Sequence, residues 1–416
     1  MTRPPFHYQD DNLHCEDVPL ATIAAEVGTP TYVYSKQAIT GAYRAYDDAL
    51  AGVDHLVCYS VKANSSLGIL SMLVAEGAGA DIVSAGELYR WQRAGGDPGK
   101  VVFSGVGKTE DEMVSALKAG ILMFNIESAE ELQLLNTVAL KMKKRAPFSI
   151  RINPDIDAKT HKYISTGLST SKFGVPVADA ISLYREARKM KGLRAVGVDC
   201  HIGSQLLDVS PLKKAVTVVA DIFRLLQSEG EALTHIDVGG GLGIAYQGEK
   251  SPGAGDYANA VLEPLRGLDA TLVVELGRSL VAESGVLLTR ALFQKENNNN
   301  RFLVIDAAMN DLMRPALYEA FHEILPLRES KKRSSGAVDV VGPVCESTDV
   351  LGRNRPLAHV QRGDLLALMT AGAYGMSMAS RYNSRSLPAE VLVNDGAYRV
   401  VRARESLSQI FEGEIP

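Results

Sequence analysis

The chain has 416 residues, 46% of them hydrophobic and 22% charged, a composition that buries a core and excludes intrinsic disorder. A formal net charge of -5 supplies no basic field for nucleic acid or acidic lipid, and the short runs Lys141-Met-Lys-Lys-Arg145 and Lys331-Lys-Arg333 read as solvated faces. Cys15, Cys58, Cys200 and Cys345 are widely spaced, which argues against a zinc site or a disulfide framework and fits a reducing compartment. The N-terminal Met-Thr-Arg-Pro-Pro-Phe-His has no apolar secretory segment, and no stretch reaches a membrane-spanning length. A soluble, cytoplasmic protein of roughly two domains is expected.

Along the chain, short apolar runs recur at 55–61, 78–83, 101–105, 121–126, 148–153, 195–200, 235–238 and 271–275. Helical patterns lie between them, among them Ala129–Met142, Val177–Lys191 and Leu212–Glu229. Strands that are continuously apolar rather than alternating predict a parallel sheet buried on both faces. About eight such units in roughly 240 residues predict a (β/α)8 TIM barrel. A doubly wound sheet is the rival, but it gives no reason for polar and glycine clusters after so many successive strands. Beyond about residue 280 long helical patterns no longer separate the strand-like runs. Strand-like runs follow at 284–294, 301–306, 337–344, 363–370, 389–393 and 397–402, predicting an antiparallel β-barrel or sandwich domain. Asn394-Asp395-Gly396 is a hairpin signal, and Asn297–Asn300 reads as an exposed hairpin tip. The expected division is a barrel over 36–279 and a β domain built from 1–35 and 280–416.

Two glycine motifs mislead. Gly105-Val-Gly-Lys-Thr109 ends like a phosphate loop, but the first glycine of that motif falls on Val102. Gly239-Gly-Gly-Leu-Gly243 resembles a dinucleotide fingerprint, yet Ile244 stands where its last glycine belongs.

The chemistry-bearing residues cluster at predicted strand ends, where a parallel barrel has its mouth. Lys62 ends the first apolar run; most lysines are surface charges, but an amine held partly dry becomes a nucleophile toward carbonyls. His201-Ile-Gly-Ser204 ends the sixth run, and Gly239, Gly240 and Gly241 end the seventh with backbone free of side chains. Glu275-Leu-Gly277-Arg278 ends the eighth, and a carboxylate there suits a pyridine nitrogen. In the second half, Arg314 and Tyr318 share one segment, apt for a substrate carboxylate. Cys345-Glu346-Ser347 groups a thiol, a carboxylate and a hydroxyl, and Tyr374 lies between small residues.

Taken together, Thr29-Pro-Thr-Tyr-Val-Tyr34, Tyr59-Ser-Val-Lys-Ala-Asn64, Ala80-Asp-Ile-Val-Ser-Ala-Gly-Glu87, Thr166-Gly-Leu-Ser-Thr-Ser-Lys-Phe-Gly174 and the clusters above closely resemble the diaminopimelate decarboxylase family. These are pyridoxal 5'-phosphate enzymes that join a barrel to a β domain, and the resemblance runs almost end to end. It implies that Lys62 holds the cofactor as a Schiff base, that His201 stacks on its ring and that Glu275 pairs with its pyridine nitrogen. Ser204, Gly239–Gly241, the Gly277–Arg278 backbone and Tyr374 hold the phosphate. Arg278, Arg314 and Tyr318 grip the distal carboxylate of meso-diaminopimelate, with Tyr374 beside the substrate, and Glu346 with Ser347 reads the distal amine. Cys345 is the proton donor that completes L-lysine, and it comes with Glu346 from the neighbouring subunit of an obligate homodimer. One departure is visible: the family usually has Glu-Pro-Gly-Arg where this chain has Glu275-Leu-Gly-Arg278, and Leu276 restores a backbone N–H.

Three rivals remain at this stage. Sister decarboxylases of ornithine, lysine, arginine or carboxynorspermidine need no anchor for a distal carboxylate, so Arg278 and Arg314 weigh against them. Alanine racemases place an arginine where Glu275 falls. Single-domain cofactor carriers lack the β domain.

Overall fold

The computed structural model describes residues 3–157, 171–298, 300–329, 336–357 and 359–415. The run Lys331–Arg333 and most of the Thr166–Gly174 segment lie outside them. The chain forms two compact units, one of Ala42–Ile244 with Lys250–Ser279, the other of Met1–Gly41, Ala245–Glu249 and Leu280–Pro416.

The first unit is the expected barrel. Its strands are β1 (His55–Ser60), β2 (Gly79–Ile82), β3 (Val101–Phe103), β4 (Met123–Ile126), β5 (Ala146–Ile150), β6 (Gly197–Asp199), β7 (His235–Gly240) and β8 (Thr271–Leu276). All the pairings are parallel, from β1 through β5, from β6 through β8, and from β8 back to β1. The seam between β5 and β6 is closed by the short strand Leu193–Ala195, which leads into β6 and pairs parallel with Ala146–Phe148, and above it by a parallel bridge from Arg151 to Asp199. Leu276, in the proline position, stays in the ladder opposite Tyr59.

The helices cover the strands with narrow apolar faces. In Ala129–Lys141 the buried residues Leu132, Leu135, Val138 and Ala139 recur at helical spacing, and Ser128 caps the N-terminus. Helix Glu110–Ala119 starts with a Thr109–Glu112 capping box and stops at Gly120, whose φ of 74° suits a residue without Cβ.

Each strand also buries one polar side chain at or near its C-terminal end. In order these are Ser60, Asp81, Ser104, Asn125, Ser149, Asp199, Asp237 and Glu275. They form a polar layer beneath the mouth of an otherwise apolar barrel.

The second unit is a mainly antiparallel sheet around the long strand Gly285–Asn297. This strand pairs antiparallel with Thr31–Ser35, Leu365–Leu368 and Asn300–Ile305. Two pairings are parallel: Thr31–Ser35 with Ala389–Asn394, and Asn300–Ile305 with Val338–Val341. The predicted hairpin joins Ala389–Asn394 to Ala397–Arg402. Its turn residues Asp395 and Gly396 have φ of 49° and 76°, the positive pair of a primed turn. Asn297 pairs with Asn300 at an exposed tip. Val33, Val286, Leu288, Val391 and Val393 sit at the centre of this unit's core. Among the described residues, no helix is long and apolar enough to cross a membrane.

The phosphate-loop look-alike has a structural role. Lys108 is buried, and its ammonium donates to Gly105 O at 2.7 Å, Asn125 O at 2.7 Å and Glu131 Oε1 at 2.6 Å. Glu131 Oε2 in turn accepts the Glu127 N–H at 2.9 Å. One lysine thus ties the exits of β3 and β4 to the helix that follows. Removing one member of a buried pair leaves an uncompensated charge, so Lys108→Ala should lower stability by about 3–5 kcal/mol. Thermal unfolding would show this, and the double variant Lys108→Met/Glu131→Gln should recover most of the loss.

Candidate active site at the barrel mouth

Parallel pairing sets Ser60 beside Asp81. The chain then turns through Val61–Ala63, which places Lys62 directly above them. The Lys62 ammonium is ion-paired with Asp81, which is wholly buried, while the lysine side chain is one-third exposed (34%). Asp81 also accepts the Ser60 hydroxyl at 2.7 Å.

Glu275 lies on β8, paired with Cys58 of β1 and Gly240 of β7. Its Oε1 accepts the Ser104 hydroxyl at 3.0 Å and the Asn125 amide at 3.3 Å. Burial acts to raise its pKa, but contact with His201 and the charges of Lys62, His201 and Arg151 outweigh burial and hold the carboxyl at about 2. Glu275 is therefore ionised at neutral pH.

Asp199, Asp237 and Glu275 bring carboxylate oxygens within 4.8 Å of one another. Carboxylates this close resist ionising together. Burial first, then the charge of Glu275, pushes both aspartates well above their ordinary range. The negative charge of the cluster is concentrated on Glu275.

His201 is fixed from two sides. Its Nδ1 accepts the Gly240 N–H at 3.2 Å and lies 3.6 Å from Glu275 Oε2, beyond hydrogen-bonding distance. The Arg151 guanidinium donates to His201 O at 3.2 Å and pairs with Glu127 at 3.1 Å. Glu127 also accepts the Gly105 and Gly174 N–H groups. At position 240 only glycine fits, because a Cβ there would lie 1.9 Å from Glu275 O. The Gly239 N–H is engaged by Asp237 Oδ1 at 3.0 Å and that of Gly240 by His201. The glycine run therefore presents a rim free of side chains rather than three open donors. Across this rim, Arg278 donates to Ser204 Oγ at 3.1 Å. Gly277 packs so closely that a Cβ would meet that of Ser60 at 3.0 Å.

Within the barrel unit, then, Lys62, His201, Ser204, Gly239–Gly241, Glu275, Gly277 and Arg278 converge at the C-terminal ends of β1, β6, β7 and β8. The remaining residues singled out from the sequence belong to the β unit. Arg314 is buried; its guanidinium meets His322 Nε2 at 2.9 Å and lies over the Tyr246 ring at 4.4 Å. His322 Nδ1 faces Met369 O at 2.8 Å, so the ring proton sits there and Nε2 accepts from Arg314. Tyr318 follows Arg314 by one helical turn on the segment Arg314–Tyr318. Tyr374 is half-buried at φ 56°. Cys345, Glu346 and Ser347 are exposed, and the other three cysteines are free and buried.

Sequence reasoning assigned no role to Asp81, Ser104, Asn125, Glu127 or Arg151. The available signal was a lone polar residue inside each apolar strand run, as in Met123-Phe-Asn-Ile126.

Comparison with known proteins defines the class. Residues 36–282 match the family described as pyridoxal-dependent decarboxylase, pyridoxal binding domain, and the chain belongs to this family. Its full-length relatives narrow the class further. It is 50% identical over 409 residues to the diaminopimelate decarboxylase of Pseudomonas aeruginosa, with 98% of both chains covered. Among solved structures it is similar to the diaminopimelate decarboxylase of Helicobacter pylori complexed with L-lysine, at 45% identity and a TM-score of 0.92, covering 94% of this chain and 98% of that one. The diaminopimelate decarboxylase from M. jannaschi gives 37% identity and a TM-score of 0.94, with 99% and 98% covered.

The mouth suits pyridoxal phosphate. It offers an amine at Lys62, a carboxylate kept ionised in a buried setting, and a glycine rim flanked by a hydroxyl and a guanidinium.

Glu87, at the start of the helix after β2, supplies a pH test. It accepts the Val83 N–H at 2.7 Å. Burial pushes its pKa up to about 7 from 4.5, against the backbone hydrogen bond and the charge of Lys62. The folded state thus binds more protons than the unfolded one between these values, and wild-type stability falls as pH rises through that window. Gln cannot titrate and keeps an acceptor, so the melting temperature of Glu87→Gln should gain on wild type between about pH 4.5 and 7. A pH-independent offset would contradict the assignment.

Proposed function

We propose that this chain is a diaminopimelate decarboxylase, removing CO2 from meso-2,6-diaminopimelate to release L-lysine. The observation that carries the reading is the ionised Glu275 on the strand next to that of Lys62. Bound pyridoxal phosphate supplies an electron sink, strongest when its ring nitrogen is protonated, and a carboxylate held at about 2 keeps such a nitrogen protonated. Full-length similarity to diaminopimelate decarboxylases supports the substrate.

The residues divide the work. Lys62 is the covalent attachment point, and Asp81 beside it stabilises the ammonium until attachment. Glu275 would hold the ring nitrogen of the cofactor, and His201 would flank the ring. Ser204, the Gly239–Gly241 rim, the Gly277–Arg278 backbone and Tyr374 hold the phosphate. Arg278, Arg314 and Tyr318 bind the distal carboxylate, while Glu346 and Ser347 bind the distal amine, so the L-configured end of the substrate is the handle. Cys345 delivers the proton that replaces CO2. The protein acts as a cytoplasmic homodimer, with Cys345 and Glu346 reaching into the partner's site. In support, these residues are exposed on their own subunit, and an exposed free thiol suits a reducing compartment.

Two experiments test this. A charge-assisted contact contributes about 1.5–3 kcal/mol, so Arg314→Ala should cut kcat/KM for meso-diaminopimelate by roughly ten- to a hundred-fold. Cofactor absorbance should not change. Wild-type preference for ornithine, or unaltered kinetics in the variant, would instead favour a sister decarboxylase. Second, mixing inactive Lys62→Ala subunits with inactive Cys345→Ala subunits should restore activity, because some heterodimers carry one intact site. Absence of recovery despite proven exchange places both residues in one subunit's site.

A further inference from the structure

We propose that the turn Tyr382–Ser384 positions the proposed proton donor, with Asn383 fixing the backbone of Cys345. This rests on the role given to Cys345 above.

Residues 344–349 fold around one buried carboxylate. Asp349 Oδ2 accepts the Val344 N–H at 2.7 Å, Oδ1 accepts that of Met309 at 2.6 Å, and the Asp349 N–H donates to Glu346 O at 3.0 Å. The Glu346 N–H donates to Val344 O at 2.8 Å. Apart from the Met309 contact these bonds lie within the loop, but the Cys345 N–H finds its acceptor outside, at Asn383 Oδ1, 2.9 Å away. The neighbouring Tyr382 hydroxyl reaches Glu346 Oε2 at 3.4 Å. One turn therefore touches both members of the Cys345–Glu346 pair.

The turn is held in a costly conformation. Asn383 has φ 55° and ψ 29°, and Ser384 has φ 53°. Two consecutive non-glycine residues in the left-handed region persist only when their surroundings enforce it. Here both flanks are anchored. Arg381 binds Glu405 at 3.0 Å, and Arg385 binds Asp306 O at 2.6 Å and Asn310 Oδ1 at 3.1 Å. Asn310 also bonds the backbone of Ser380. Asn is among the few side chains that tolerate this backbone, and here the conformation brings its amide oxygen to Cys345.

The test uses the purified holoenzyme and iodoacetamide. Cys345 is exposed on its own subunit and, as the proposed proton donor, opens onto the substrate pocket of the dimer, while the other three cysteines are buried. A small alkylating agent added without substrate, followed by peptide mass analysis, therefore reads this one thiol. Asn383→Gly keeps a residue at ease with φ 55° but removes the acceptor. The Cys345 alkylation rate should rise by roughly three- to tenfold, the range one net hydrogen bond supports. kcat should fall by a similar factor with KM little changed, and the melting temperature should hold. Asn383→Asp retains an acceptor and should not raise the alkylation rate. An unchanged or reduced rate in Asn383→Gly overturns the proposal, as does faster alkylation with kcat intact in a protein that needs Cys345. If Cys345→Ala is fully active, the catalytic role of the cysteine fails, while the alkylation rates still decide whether Asn383 holds it.

Discussion

Everything at the barrel mouth depends on keeping one buried carboxylate ionised. Burying a charge without compensation is prohibitive, and Glu275 is surrounded by further acids. The fold meets this cost with cations and hydrogen-bond donors from different strands. Lys62 follows β1, Arg151 follows β5, His201 follows β6, and Ser104 and Asn125 donate from β3 and β4. None of these is near Glu275 in sequence. The parallel barrel is the device that makes them neighbours, because every strand delivers its C-terminal end to the same place.

The supporting residues are arranged in tiers. Asp81 answers Lys62, Glu127 answers Arg151, and Glu131 with Lys108 holds the Glu127 backbone. These three acids each have a cationic partner or a tie to one, whereas Asp81 Oδ1 and Asp199 Oδ1 stay buried without a hydrogen bond. Such layers add little net stability but select one arrangement among many, since a displaced member strands its partner. The β unit handles its arginine similarly: His322, locked by Met369 O, orients the Arg314 guanidinium that Tyr246 supports from its face.

The barrel was legible because eight continuous apolar runs left a parallel sheet as the economical solution. The residues closing its mouth could be marked where they ended those runs. What could not be read was partnership. Asn125 looks like an interruption of an apolar strand until β7 and β8 are placed opposite it, giving contacts to Asp237 and Glu275. Lys108 looked like part of a phosphate loop and is instead a buried brace. In the β unit, Ile324–Pro326 and Val350–Arg355 went unmarked as strands, the first too short and the second too polar to show a period. The parallel pairings of Thr31–Ser35 and Asn300–Ile305 join segments with no local signal for direction.

Where β5 meets β6 at the mouth, above the Leu193–Ala195 ladder, an isolated bridge joins Arg151 to Asp199, so the upper end of this seam runs through the electrostatic centre of the site. Lower in the seam Leu193–Ala195 pairs with Ala146–Phe148 and the Val196 N–H donates to Phe148 O, and opening that ladder requires breaking several hydrogen bonds together. Sub-global fluctuations begin where lacing is sparse, and here that place also holds a cation that keeps Glu275 charged. Fraying of this upper end and discharge of the carboxylate are thus a single motion: water entering there would weaken the field on which the chemistry relies well before the ladder below it opens.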